Sequence, residues 1–215
     1  MPTLLSIHPE ILRVAVTVGV MAVLLALSNR RLIVVPLMLQ YVLVATLVGS
    51  ELTQPIFIIR LTLGVAISTI IFITSAHMQQ ALDDRHTTDV GRRIARPSFP
   101  LSMGRGFRLL TLALAMLMAY GLWDAYAWGT VPADVALAAC MLLAIGLALA
   151  LISTDPLYLG VGALILLSGF ETIYLYLEAS LLVVALLGML DILVAMAVSF
   201  GCESWLDAFV QKETP

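Results

Sequence analysis

Three carboxylates sit in apolar company near the C-terminal end of the chain. In GFETIYLYLEASLLVVALLGMLDILVAMAVSF, residues 169–200, Glu171 and Glu178 precede a long apolar run that has Asp191 in its middle. Gly188 lies three residues before Asp191 and Ala195 four after it. Both are small and share its helical face, so a second helix or water can come near. An aspartate at the bilayer centre costs about 2.5–3.5 kcal/mol on insertion scales. Such a group is paired, hydrated or protonated, which suits a side chain that takes and gives up protons. The structural alternative is a protonated acid hydrogen-bonded to a neighbouring helix, and both readings stand at this point.

Glu171 falls roughly two-thirds of the way along its own apolar segment, with Ser168, Tyr174 and Glu178 on its face at i−3, i+3 and i+7. Together Glu171 and Glu178 form a polar stripe leading inward from the surface, and Tyr174 could bridge them by hydrogen bonding. Glu178, near the membrane surface, could equally be a plain interfacial charge. Arg60 lies shortly after Pro55 in an earlier apolar segment. It either extends its guanidinium to the interface or is a buried cation whose field tunes a nearby carboxylate. Gln40 and Tyr41 could line the same polar cavity. Tyr158 and Tyr176 are interfacial or packing aromatics.

Other chemistries lack residues. His8, His77 and His86 fall outside the apolar segments or at their ends, so the facing histidines of a haem-binding bundle are absent. Cys140 and Cys202 form no CxxC and no Cys/His cluster, which leaves no ligand set for a metal. There is no GxSxG, HExxH or phosphate-binding loop. We therefore expect no catalytic residues, no metal and no cofactor in this chain.

The elements that must hold these acids are membrane helices. Of 215 residues, 61% are hydrophobic and only 12% charged, and the mean hydropathy is +1.06. Soluble domains carry about 25% charged residues. No basic stripe with interleaved aromatics supports nucleic-acid binding. About seven segments are long and apolar enough to span: 11–28, 32–50, 55–76, 108–127, 133–153, 157–177 and 179–200. The N-terminal stretch lacks the basic region of a secretory signal, so the first segment reads as a retained helix. Arg30 and Arg31 mark one loop; Arg85, Arg92, Arg93, Arg96, Arg105 and Arg108 mark the stretch 77–107 or its edge. Both basic loops belong inside the cell, and Glu51, Asp124 and Asp134 fall outside. The expected fold is an all-α polytopic membrane helix bundle with its N-terminus outside and its C-terminus inside. Trp123, Tyr126 and Trp128 would anchor the outer face.

Three parts follow: a three-helix membrane part over 1–76, a basic cytoplasmic loop over 77–107, and a four-helix membrane part over 108–215. The loop is a solvated linker or docks onto a partner subunit or anionic headgroups. Small residues recur every four positions at Ala136, Cys140, Ala144 and Ala148, and again at Thr111, Ala115 and Ala119. Such rows let helices approach closely where lipid supplies no hydrophobic drive, so Cys140 reads as a packing residue.

The last two segments resemble the C-terminal helix pair of the E component of group 4 membrane hydrogenases, itself similar to the small K-type (4L-type) membrane subunit of respiratory complex I. Gly169-Phe170, Glu171 and Ile173-Tyr174 match the first part of the family pattern; Gly188, Asp191 and Leu193-Val194 match the second. The family's Asn-Gly after its first glutamate reads Thr172 here, and its second membrane glutamate falls near Ala185, which cannot carry a proton. About 40 residues carry the likeness in detail; length and hydropathy agree over the rest. The resemblance implies a non-catalytic membrane subunit of a complex I-like or hydrogenase-like assembly in the plasma (inner) membrane. Such a subunit packs against antiporter-like subunits and the lipid bilayer, and contributes buried carboxylates to a proton or Na+ pathway. The proton-pathway candidates are Glu171, Asp191, Tyr174, Glu178 and Arg60. The alternatives are a stand-alone secondary transporter, which would show an inverted repeat with broken helices, and a structural membrane scaffold or assembly subunit.

Overall fold

Local chemistry punctuates the chain into helices. The computed structural model describes residues 33–49, 54–84, 105–126, 128–129, 131–178 and 180–211. Among them are six helices and no strand: α1 (Val34–Gly49), α2 (Gln54–Asp84), α3 (Arg105–Ala125), α4 (Ala133–Ile152), α5 (Pro156–Leu177) and α6 (Leu181–Gln211). Asp155 caps α5 by accepting from the Leu157 N–H at 3.1 Å, and Pro156 takes the first helical position, where a missing N–H costs nothing. Ser180 does the same for α6, its hydroxyl accepting from the Val183 N–H. Between α3 and α4 the chain turns through Gly129 at φ +59°, a backbone setting that favours glycine. The Trp123 indole closes that turn by donating to the Ala133 carbonyl.

Four helices are long and apolar enough to cross a membrane: Pro55–Ala81, Ala133–Ile152, Pro156–Leu177 and Leu181–Ala208. The chain has the helices of a membrane protein. The apolar parts of α1 and α3 are shorter, Val34–Thr46 and Leu110–Ala125. The expected span 11–28 and most of the basic loop lie outside the described residues. Two boundaries differ from expectation. Helix α2 runs on to Asp84 rather than stopping at 76, and α6 runs to Gln211 rather than 200. Loss of hydropathy ends a span but not a helix. No glycine or proline interrupts 77–84, and residues such as Gln79, Gln80, Ala81 and Leu82 are good helix formers.

Packing divides the bundle in two. Helix α3 lies against α4, and α4 against α5. Beyond them α5, α6, α2 and α1 close a four-helix ring, with contacts α5–α6, α6–α2, α2–α1 and α1–α5. Directions can be read from cross-helix neighbours. Gly188 abuts Leu63 and Ser199 meets Thr74, so α2 and α6 run parallel in fixed register. Gly160 abuts Val198 and Gly64 abuts Tyr41; with only three residues joining α5 to α6 and four joining α1 to α2, each of these pairs runs antiparallel. The ends of α2 and α6 therefore lie on one face of the bundle.

The small-residue rows have distinct roles. Ala119 on α3 and Cys140 on α4 are buried together in a cluster with Leu112 and Leu137. The closest backbone approach is elsewhere, between α4 and α5. A Cβ added at Gly162 would lie 2.7 Å from the Ala150 nitrogen, and one at Gly169 would lie 2.9 Å from the Leu143 nitrogen. Outward faces stay apolar: Leu182, Leu186, Met189, Met196 and Phe200 of α6 are all exposed, the surface that lipid covers in a spanning helix.

Candidate functional site

The four-helix ring encloses the polar groups. On α6, Val184, Gly188, Asp191, Ala195 and Cys202 are buried, which is one stripe at helical spacing. That stripe turns Asp191 inward; it is 2% exposed. On α5 the buried stripe includes Leu164, Ser168, Glu171, Thr172 and Leu175. On α2 it runs through Arg60, Gly64, Ile67, Ile71, Thr74 and Ser75. Three helices thus aim an acid, an acid and a base at one space.

Arg60 Nη2 donates to Glu171 Oε2 at 2.8 Å. The side chains are 9% and 5% exposed, so the pair is sealed from bulk solvent. Arg60 does not snorkel; the buried-cation alternative is the one the structure adopts. A small cavity borders the pair, lined by Tyr41, Arg60, Leu63, Glu171, Leu175, Val184, Leu187, Gly188 and Asp191. Its volume, counted for the centre of a water molecule, is about 10 Å³, which is close to the least a single water needs. Arg60 Nη1, Glu171 Oε1, Asp191 Oδ1 and the Tyr41 hydroxyl are buried without a hydrogen-bond partner. One donor, two acceptors and one hydroxyl around such a space are a fitting set for one water, which bonds to about three groups.

Depth follows from helix geometry. Glu171 lies six residues before the end of α5 and Asp191 ten after the start of α6, or about 9 Å and 15 Å along the axes at 1.5 Å per residue. The site therefore reaches from mid-membrane toward the end where α5 stops and α6 starts. One guanidinium faces two carboxyl groups, so the gain or loss of one proton moves the cluster between net zero and one negative charge.

No protein-family model, curated protein or solved structure matches the chain.

Of the sequence candidates, Arg60, Glu171 and Asp191 converge. Tyr174 and Glu178 do not. Tyr174 is exposed and stacks on Phe170 with ring centroids 5.8 Å apart. It sits about 60° around the helix from Glu171, enough to turn it outward, so it does not bridge Glu171 and Glu178. Glu178 leaves the helical backbone as the cap residue of α5, at φ −143° and ψ 89°, and is exposed. The polar stripe drawn along α5 ends at Glu171. Tyr41 lines the cavity; Gln40 is buried beside it in the chain, with both amide atoms unpartnered. The apolar lining residues Leu175, Val184 and Leu187 carried no sequence signal, because apolar residues fill every span. Among the described residues, no three His, Cys, Asp or Glu side chains group as a metal site would.

Proposed function

We propose that this chain is a non-catalytic membrane subunit of an ion-translocating assembly of the complex I-like or group 4 hydrogenase-like kind, seated in the plasma (inner) membrane as a multi-pass bundle. Its part is to supply Glu171, paired with Arg60, and Asp191 to a buried proton pathway completed by larger antiporter-like partners. A single observation carries this: an ion pair and a third ionisable group, drawn from α2, α5 and α6, share one small buried cavity with unpartnered polar atoms. Ionisable groups within a membrane are rare and mark ion and proton routes. The guanidinium favours H+ over Na+, because a metal cation in so small a space would sit against a fixed positive charge.

The test is replacement of Glu171 by Gln and, separately, Asp191 by Asn in the assembled complex. Each should cut ion pumping while the complex still assembles. Tyr174→Phe should leave pumping unchanged. Full pumping by both acid variants would rule the role out. The scaffold reading draws on the short Arg60–Glu171 bond, which also ties α2 to α5. It expects both acid variants to pump normally and to differ only in stability.

A further inference from the structure

From Asp191 the cavity lining extends in one direction along the bundle. It continues along Gly188, Leu187 and Val184 of α6 and along Glu171 and Leu175 of α5. Both series lead to the turn at 178–180, where Glu178 is exposed. In the other direction the ring is plugged. The α2–α6 register, set by Leu63 against Gly188 and Thr74 against Ser199, puts Ile67 and Ile71 just past Asp191. By the same neighbour relations Leu37 of α1, Leu164 of α5 and Ala195 of α6 fall at this level. All five are fully buried members of one apolar cluster. Gln40, Ser68 and Ser168 are the buried polar side chains near that layer, and their side-chain polar atoms have no hydrogen-bond partner. Beyond it the Thr74 and Ser199 hydroxyls, 2.6 Å apart, clamp α2 to α6.

We propose that Asp191 is reached from one side of the membrane only, the side on which α5 ends and α6 begins, through a neck formed by Leu175, Val184 and Leu187. The apolar layer of Leu37, Ile67, Ile71, Leu164 and Ala195 blocks the other side. Apolar side chains give water no hydrogen-bond partners, and a proton does not cross them without a polar carrier. On the topology expected from the basic loops, the open side is the outer one. The inference rests on the proposed pathway for its meaning. Its test reads access rather than pumping, so either can fail alone.

The test uses the full chain in sealed vesicles, with Cys140 and Cys202 both replaced by Ala. Glu178→Cys, labelled with a membrane-impermeant maleimide, identifies the side bearing the α5–α6 turn. Asp191→Cys is then exposed to silver ion from each side, and its remaining thiol is counted by maleimide labelling after denaturation. Loss of labelling is expected with silver on the Glu178 side and not with silver on the opposite side. Leu187→Cys, at the neck, should follow Asp191→Cys, whereas Ser199→Cys should be spared by silver on the Glu178 side. Those two variants carry the test by themselves if Asp191→Cys does not insert. Reaction of Asp191→Cys from the opposite side, from both sides or from neither overturns the proposal, as does loss of Ser199→Cys labelling from the Glu178 side.

Discussion

Replacing Arg60 and Glu171 by Leu, singly and together, separates a paired charge from a merely polar contact. Both residues are more than 90% buried and joined at 2.8 Å, so solvent screening does not soften the effect. Removing one partner of a buried pair costs about 3–5 kcal/mol, because the other charge is left uncompensated. The cavity makes the two singles unequal. In Glu171→Leu, the guanidinium keeps Asp191 as a neighbour on the same cavity wall, so the cost should fall near 3 kcal/mol. In Arg60→Leu, two carboxyl groups lose the one cation that lines the site among the described residues, and the cost should approach 5 kcal/mol. The double variant should be more stable than Arg60→Leu alone, since apolar replacement of a buried pair is often neutral and only Asp191 is left without its cation. The assay is reversible unfolding in mixed micelles, followed by circular dichroism. A cost of 3–5 kcal/mol is roughly 10²- to 10⁴-fold in the folding equilibrium. Two single variants within about 1 kcal/mol of the parent, or a double variant as unstable as the singles combined, would refute the reasoning.

Two further outcomes can be read in the same assay. Gly162→Ala pushes a methyl group against the Ala150 nitrogen and the Gly146 carbonyl of α4, at 2.7 and 2.9 Å. It should destabilise by about 1–3 kcal/mol, and an unchanged midpoint would show that the α4–α5 seam can open. Asp155→Ala removes the side-chain acceptor for the Leu157 N–H and should cost about 1 kcal/mol; no loss would show that Pro156 alone sets the start of α5.

Features that depend on near neighbours were legible in the sequence. The expected spans 133–153 and 157–177 part at Thr154-Asp155-Pro156, and α5 begins there because a carboxylate cap and a proline both act within one turn. The ends of α2 and α6 lie beyond the apolar segments because hydropathy falls before helicity does. Tyr174 was misplaced for another local reason. Spacing of i+3 implies one face, but the buried stripe of α5 is narrow enough to leave that position outside. Ala136 and Cys140 were rightly seen as small interior residues, yet the tightest seam uses Gly146, Gly162 and Gly169, whose partners lie on another helix.

Arg60 shows where sequence ran out. Its burial depends on Glu171, 111 residues away, and no periodicity within either helix reports the other. Composition and hydropathy by themselves determined that apolar helices would carry costly acids, because insertion into lipid tests each segment separately. Tertiary structure alone decided that α1, α2, α5 and α6 close a ring, that the arginine faces inward to a carboxylate, and that Asp191 stands above an apolar floor. Those outcomes depend on which helices touch and in what register, and contacts between distant segments are selected by packing of the whole bundle.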